Sequence, residues 1–453
     1  MAAVWTLGKR LSTRVLVTAQ TLYSATDTIS LKRRAFKREV KMLKARLRRA
    51  LSRAEFIAVT GSSGKTTTVS LLAHILAGEA QTVQQSLGNG LQATTNTIRQ
   101  IRPSDRYVVI ESGTAKPGQL RRQARLIKPN ISIITLVALE HYSAFRTLDS
   151  VANEKAELVR ALSEQGLAIL NFDNSLVRAM SEDTKARVVG FGIEYGNYRV
   201  SHLNISPNGE LSLSITPPGK QRIDLATRLL GRHNWLAVAA AATCALELGI
   251  DPGVVISRVA TFQAVFGRMS IQSVPQGPRF ILDTAKAPWF SMMLPFAVVA
   301  EIAAPRKRVI LGQISDYAGN PKGKYRDAYR AAREVADEVI LVGPKSHHVR
   351  ASEEDILTGR FRAFSSVEAC AAYIRQTAIE GEIILIKSAQ NLHLERIWLN
   401  FGEQVRCWPS ECGHKSRVCR NCFYDTPFSQ HGAQHIYKER TFLRHYPSCR
   451  ELS

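Results

Sequence analysis

Short apolar runs alternate with longer helical patterns over most of the chain. The runs predicted to be buried strands lie at residues 56–59, 107–110, 131–136, 167–171, 280–282, 308–311, 338–342 and 383–386. Helical spacing of apolar positions separates them, with clear examples at residues 66–76 and 151–163. Strands that alternate with helices predict a mostly parallel sheet covered by helices, so the expected fold class is α/β.

Residues 188–226 interrupt this alternation. They alternate polar and apolar positions between two turn signals, Pro-Asn-Gly at 207–209 and Pro-Pro-Gly at 217–219. A period of two predicts an antiparallel hairpin region, here attached to the first sheet. An Ala-rich helix is predicted over residues 234–248, and a second α/β pattern begins near Ile271.

These changes of pattern predict four parts. They are a basic helical arm at residues 1–54, a central α/β domain at 55–270, a second, Rossmann-like α/β domain at 271–402 and a Cys-rich tail at 403–453.

The charge balance favours anionic partners. The chain has 61 Lys plus Arg against 38 Asp plus Glu, a formal net charge of +23. Nucleotides, acidic polymers, membrane surfaces and nucleic acid would all be attracted by such a field, and a generally basic surface without any such partner explains it equally well. We find no apolar run of roughly 18 residues, so no transmembrane helix is expected.

The first forty residues are rich in Arg, Lys, Ser and Thr, and Asp27 is their one acid before Glu39. Three interpretations fit this composition: an organelle transit peptide, a basic amphipathic arm lying on an anionic membrane, and an ordinary helix with a solvated basic face at residues 32–49. No secretory signal is found. We expect a cytoplasmic protein, with peripheral contact at the inner membrane surface if the arm docks there.

The strongest chemical signal is a Gly-rich loop between the first predicted strand and helix. Glycines let the backbone curl so that several N–H groups point at phosphate oxygens, and the next helix adds its positive N-terminal end. In a P-loop the lysine neutralises the β- and γ-phosphates and the following hydroxyl coordinates Mg²⁺. The predicted nucleotide loop comprises Gly61, Ser62, Ser63, Gly64, Lys65, Thr66 and Thr67.

The loop, T-G-S-S-G-K-T-T-T, is shorter than the general P-loop and resembles that of the Mur ligase family. Further segments follow in the family's order from about residue 55 to 400: E-S-G at 111–113 with P-G at 117–118, His141, K-A-E at 155–157, N-x-D at 171–173, G-R-H-N at 231–234 and G-R-M at 267–269. The resemblance is closest to the members that add a D-Ala-D-Ala dipeptide to the cell-wall precursor.

This resemblance implies an ATP-dependent, ADP-forming ligase that joins a carboxylate to an amine through an acyl phosphate. Thr66 and Glu111 would hold Mg²⁺ between the β- and γ-phosphates, and His141 would help to hold a second Mg²⁺. Lys155, a position often carbamylated in the family, would be a further metal ligand. Lys65, Lys155 and His141 would be the catalytic residues; as bare sequence, His141 and Lys155 could also be an ordinary loop histidine and a surface helix lysine.

The same resemblance places Asn234 and Arg268 against the nucleotide from the other side and Asp283 on its ribose. The two α/β domains would close over ATP, which excludes water from an acyl phosphate. The implied partners are ATP, a small-molecule or polymeric acid, and an amine or amino acid.

The sequence also departs from the family's pattern. Residues 282–288 read L-D-T-A-K-A-P, where relatives have a second acid and two Asn, and K-S-A-Q at 387–390 lacks the family's Gly and Arg. Altered acceptor chemistry or weakened catalysis would follow. Residues 1–54 are too short for the usual domain that binds a uridine nucleotide, which argues against a soluble uridine-nucleotide acceptor.

Five cysteines lie in the tail, and four of them are closely spaced: Cys407, Cys412, Cys419 and Cys422. Thiolates at such spacing can wrap a tetrahedral Zn²⁺, although the spacing is irregular, and reduced free cysteines or redox use are the alternatives. Cys244 and Cys370 lie in Ala-rich helical patterns and are expected to be buried packing residues.

Two other classes of function compete with the ligase. One is a nucleotide-regulated assembly protein that kept the P-loop and lost turnover. The other is a nucleic-acid-dependent P-loop NTPase, suggested by the charge. A second metal site is superfluous in a pure binding protein, and a second α/β domain fits a ligase better, so the ligase is favoured and a nucleic-acid partner is not expected.

Overall fold

The computed structural model describes residue 33, residues 35–140, 144–402 and 405–409, and residues 412 and 419 of the tail. The described chain forms two sheets, each covered by helices, and both are mostly parallel. The predicted α/β class is therefore confirmed. Among the described residues, no helix combines the length and apolar character needed to cross a membrane.

The first sheet has nine strands within the described residues, in the order β2-β3-β1-β4-β5-β6-β7-β8-β9. Strands β1 to β6 pair in parallel, whereas β7, β8 and β9 form an antiparallel extension. The strands are β1 (Glu55–Thr60), β2 (Thr82–Gln85), β3 (Tyr107–Glu111), β4 (Ile131–Ile134), β5 (Leu167–Asn171), β6 (Arg187–Gly192), β7 (Tyr198–Ile205), β8 (Glu210–Thr216) and β9 (Ile223–Leu230).

Helices cover both faces of this sheet because alternate side chains of each strand point to opposite sides. In β1, Ile57 and Val59 join one apolar core while Phe56 and Ala58 join the other. The helices are α1 (35–51), α2 (Lys65–Leu76), α3 (Leu91–Gln100), α4 (Gln119–Ile127), α5 (Leu148–Ala156), α6 (Ser175–Ala179), α7 (Trp235–Glu247) and α8 (Pro252–Thr261).

The second sheet has six strands in the part of the chain that the structure describes, ordered β10-β11-β15-β12-β13-β14. Only the β10–β11 pair is antiparallel. The strands are β10 (Ser270–Ser273), β11 (Arg279–Asp283), β12 (Lys307–Leu311), β13 (Glu338–Val342), β14 (Phe361–Phe364) and β15 (Ile383–Lys387), and the helices are α9 (Leu294–Glu301), α10 (Pro321–Arg333), α11 (Glu353–Leu357), α12 (Val367–Thr377) and α13 (Glu395–Gly402).

The two sheets are joined by residues 262–269 between α8 and β10. The hairpin between β7 and β8 also reaches the second unit. Asn208 lies 3.5 Å from the Arg279 guanidinium, and a Cβ added to Gly209 would lie 2.8 Å from Ile302. The change of sheet occurs where the sequence pattern changes, and the four-part division with a boundary near residue 270 stays our proposal.

Most predicted strands lie within two residues of their observed bounds, and three differences have local causes. The helix predicted at 151–163 instead runs over Leu148–Ala156, because Thr147 and Ser150 form a reciprocal capping box that starts it earlier. β6 pairs in parallel with β5, so the antiparallel region starts at β7. Strands β2, β10 and β14 are four-residue edge or near-edge strands with few buried positions, and the apolar pattern did not reveal them.

Candidate active site

The Gly-rich loop lies between β1 and α2, at the carboxyl end of the parallel sheet, where α/β folds place ligands. Gly61 and Gly64 both have positive φ, +152° and +80°. A Cβ on Gly61 would lie 1.9 Å from Oγ1 of Thr135, which itself donates to the carbonyl of Ser63 at 2.6 Å. The end of β4 thus holds the curl of the loop, and both glycines are required by backbone geometry.

Thr66 lies in the first turn of α2. Its hydroxyl donates to Oε2 of Glu111 at 2.9 Å, and Glu111 is the last residue of the neighbouring strand β3. Both side chains are buried. The amide of Leu87 also donates to the Glu111 carboxylate, at 3.1 Å. Two hard oxygen donors are therefore fixed beside the loop, which is the kind of donor set that Mg²⁺ prefers.

Two lysines in this region, Lys65 and Lys155, are buried. The Lys65 ammonium donates to the carbonyl of Gly61. Lys155 Nζ lies 2.5 Å from Oε1 of Glu140, and both side chains are almost fully buried. The pKa of Lys155 is lowered to about 8, chiefly because its ammonium is buried; Glu140 acts in the opposite direction, and the nearby Lys65 charge adds to the lowering.

The second sheet presents its own charged residues to the loop. Asp283, at the end of β11, and Lys387, at the end of the adjacent β15, are paired across the strands with Nζ and Oδ2 2.5 Å apart. Lys387 also donates to the carbonyl of Lys286 at 3.0 Å. Lys286 as a whole residue is exposed, but its ammonium lies inside the cleft. The loss of water around the ammonium is the main cause that lowers the pKa of Lys286, and the charges of Lys65 and Arg268 lower it as well.

One cleft joins these groups. It is lined by residues of both sheets and of the connection between them: Ser62, Ser63, Gly64, Lys65, Thr66, Thr67, Glu111, Glu140, His233, Asn234, Arg268, Met269, Asp283, Lys286, Asp316 and Lys387. Every predicted nucleotide residue except Gly61 lines this cleft, and Gly61 is the first residue of the loop. Asn234 donates to the Leu230 carbonyl at 2.7 Å, while Nε of Arg268 is buried without a hydrogen-bond partner among the described residues.

Some predicted residues lie elsewhere. His141 and Cys422 fall outside the described residues. Lys155 lies behind the cleft wall, joined to it through Glu140. Sequence reasoning assigned no role to Glu140, Lys286 or Lys387. The available signals were the position of Glu140 beside His141, the departure from the family's pattern at Lys286, and the lysine that residues 387–390 share with the family's segment.

Comparison with known proteins shows which family the central part of the chain resembles. The family model of the Mur ligase middle domain matches residues 59–245, which contain the loop, Glu111, Lys155 and Asn234. The chain contains a Mur ligase middle domain. The resemblance inferred from the motifs is thereby confirmed for this Mur ligase homologue.

Named relatives agree. The UDP-N-acetylmuramoyl-tripeptide–D-alanyl-D-alanine ligase of Escherichia coli (strain K12) is 25% identical over 362 residues, 78% of each chain. The enzyme of the same name from Rickettsia prowazekii (strain Madrid E) is 24% identical over 398 residues, 85% of this Mur ligase homologue and 86% of the relative.

Solved structures share the fold. MurF from Acinetobacter baumannii superposes with a TM-score of 0.69 at 23% identity, over 80% of each chain. The MurF ligase of Thermotoga maritima in complex with ADP gives a TM-score of 0.70 at 18% identity, over 80% of this Mur ligase homologue and 83% of that chain. At these identities the superpositions establish the fold.

Proposed function

We propose that this protein is an ATP-dependent, ADP-forming ligase that joins a carboxylic acid to an amine through an acyl phosphate. One observation carries the proposal. The P-loop, with Thr66 bonded to Glu111, faces Lys286 and Arg268 from the other side of a single cleft. A binding protein needs the loop alone, whereas a transfer reaction benefits from cations on both sides of the phosphate that moves.

In the reaction, a carboxylate oxygen attacks the γ-phosphorus of ATP and ADP leaves. The amine nitrogen then attacks the carbonyl carbon of the acyl phosphate, and inorganic phosphate leaves as the amide forms. The amine loses a proton in this second step. The net products are the amide, ADP, phosphate and one proton.

The residues of the first sheet bind and orient the triphosphate. The loop amides and Lys65 contact its β- and γ-oxygens, which neutralises their charge. Thr66 and Glu111 would hold Mg²⁺, which supplies further charge neutralisation on the phosphates when it is bound. Lys155 and His141 would serve a second such ion, and Glu140 orients the Lys155 side chain through their 2.5 Å contact.

The residues of the second unit approach from the opposite wall. Asn234 and Arg268 would contact the nucleotide, and Asp283 would accept from its ribose through the oxygen that Lys387 leaves free. We propose that the two α/β domains close over ATP about residues 262–269, so that water is excluded from the acyl phosphate. Lys286 faces Lys65 across the cleft, and we assign it to the transferred phosphoryl group.

The acid and the amine are to be found by screening for phosphate release with ATP and Mg²⁺, with mass detection of any new amide. The panel contains amino acids, dipeptides including D-Ala-D-Ala, peptidyl acids and the UDP-linked tripeptide on which the named relatives act. We expect phosphate release that depends on both an acid and an amine. Release that depends on DNA or RNA instead, or ATP binding without any turnover over the whole panel, would contradict the proposal.

We also propose that the arm docks on an anionic membrane. Helix α1 exposes one apolar stripe, Phe36, Leu43, Leu47 and Leu51, with exposed fractions of 70%, 57%, 56% and 81%. Residues 35–51 hold seven Lys or Arg and a single acid. An apolar stripe bordered by basic residues is typical of a helix that lies in a lipid interface.

The arm is anchored to the rest of the protein by Arg49. Its guanidinium donates to the carbonyls of Ile127 and Lys128, at 2.5 and 2.6 Å, and stacks 3.9 Å from the ring centre of Phe56. Deleting residues 1–51 would break these contacts as well as remove the stripe. Substitution within the stripe is therefore the cleaner test.

Changing Phe36, Leu43, Leu47 and Leu51 to Ser is expected to abolish sedimentation with vesicles of anionic phospholipid while ATP binding is unchanged. Vesicle binding by the unaltered chain should weaken with salt, because the screening length falls to roughly 8 Å at physiological ionic strength. The control changes the exposed apolar pair Ile356 and Leu357 to Ser. Equal binding by the arm variant and the control would show that the stripe does not touch lipid.

A further inference from the structure

A buried polar cluster lies outside the cleft, where the chain leaves the second sheet. After β15 the chain makes a short helical turn, and His393 follows it in a left-handed conformation at φ 48°. Glu395 begins α13 two residues later. Both side chains are buried, with 1% and 2% of their surface exposed, and the buried Cys419 of the tail packs against them.

The donor atoms of this cluster converge. One ligand atom each from His393, Glu395 and Cys419 lies within 4.8 Å of the other two. Nδ1 of His393 lies 2.9 Å from Oε1 of Glu395, and the amide of Cys419 donates to the same oxygen at 3.3 Å. The thiols of both Cys412 and Cys419 lie beside the imidazole, so two sulfurs adjoin one ring.

The cluster is short of hydrogen-bond partners. Nε2 of His393 and Oε2 of Glu395 are buried, and neither has a geometrically acceptable partner among the described residues. A polar atom buried without a partner loses the hydrogen bonds that water gave it in the unfolded chain, which destabilises the fold. A bound cation would satisfy both atoms at once, whereas a packed apolar core would satisfy neither.

The chemistry of the donors selects the metal. The cluster offers one nitrogen, one carboxylate and two sulfurs, and its residues His393, Glu395 and Cys419 are buried. Zinc takes such mixed sets in tetrahedral structural sites, while magnesium and calcium require mostly oxygen.

We propose that His393, Glu395, Cys412 and Cys419 bind a structural zinc ion that fastens the Cys-rich tail to the second α/β domain. This differs from the ligand set expected from the cysteine spacing. Two of the four closely spaced tail cysteines meet a histidine and a glutamate that precede the tail. The carbonyl of Cys407 is occupied by the Arg396 guanidinium at 2.7 Å, and its thiol is not required for the site.

The site adjoins the cleft through the chain that supports it. The amide of Cys412 lies 3.5 Å from the Asn391 carbonyl, and the Asn391 side chain bonds to Gln313. Residues 388–392 connect this point directly to Lys387, which lines the cleft. Zinc therefore also holds the loop that begins at Lys387. This second role, unlike zinc binding itself, depends on the proposed ligase site.

Metal analysis of the full chain, purified without a metal-affinity tag, should find about one Zn²⁺ per chain. Cys419→Ser, Cys412→Ser and Glu395→Gln should each lower this content at least several-fold. Cys244→Ala, which alters a buried cysteine of α7 beside the first sheet, is the matched control and should keep the zinc. Co²⁺ exchanged into the site should give thiolate charge-transfer absorption that Cys419→Ser removes.

A measurement on the unaltered chain guards against variants that fail to fold. A zinc chelator should lower its melting temperature, and added Zn²⁺ but not Mg²⁺ should restore it. Absence of zinc with all thiols freely titratable, a Cys412–Cys419 disulfide, or zinc that survives Cys419→Ser would each overturn the proposal. Phosphate release assayed on the same samples separates this outcome from failure of the ligase site.

Discussion

Lys65→Ala is expected to abolish ATP-dependent phosphate release while the protein stays folded. The ammonium is buried under the loop and bonds only to the Gly61 carbonyl among the described residues, so its charge serves the phosphates rather than the fold. Removing one group that stabilises a transferring charge typically lowers the rate by about 10²–10³-fold, and a P-loop lysine also contributes to binding. The measurements are steady-state phosphate release and the melting temperature.

The matched control is Lys185→Ala. Lys185 is 86% exposed and 3.8 Å from Glu164, so its loss removes the same charge from the surface. We expect wild-type turnover from the control and an unchanged melting temperature in both variants. Turnover by Lys65→Ala within a factor of a few of wild type would disprove the nucleotide assignment of the loop.

The second large effect concerns the buried pair of Lys155 and Glu140. Lys155→Ala should destabilise the protein by about 3–5 kcal/mol, because it leaves the Glu140 carboxylate buried without its cation. Glu140→Gln combined with Lys155→Gln removes both charges together. Most of the stability should return in this double variant, as measured by denaturant unfolding.

Activity separates a catalytic role of Lys155 from a structural one. If Lys155 serves the reaction, the double variant regains stability but stays inactive in phosphate release. If the lysine only neutralises Glu140, activity returns together with stability, and the catalytic assignment fails. Glu140→Gln alone completes the double-mutant cycle and gives the coupling energy of the pair.

Whether the sequence could predict a part of this site depends on how far apart in sequence its interacting residues lie. The P-loop was predictable because its strand, its glycines and its helix are neighbours in sequence. Gly61 and Gly64 also adopt positive φ, a conformation that glycine favours and that is therefore visible in the sequence. The pair Asp283 and Lys387 was not, since 104 residues separate them and only the register of β11 on β15 brings them together.

The same limit applies to the tail. Cysteine spacing drew attention to Cys412 and Cys419, but His393 and Glu395 lie in a segment whose letters look like an ordinary helix start. Local rules also misplaced the start of α5, where a polar capping pair defined the helix more strongly than the apolar period. Contacts between distant segments decide such details, and one sequence does not display them.

The hairpin between β7 and β8 has a mechanical consequence. Besides the connection at residues 262–269, it is a second place where the two units meet, through Gly209 beside Ile302 and Asn208 beside Arg279. A body joined at one point can swivel in every direction, whereas two separated points leave one easy rotation, about the line through them. We therefore expect the two units to rotate about the single axis through these two contacts, so that Lys286 moves towards Lys65 along the same path each time.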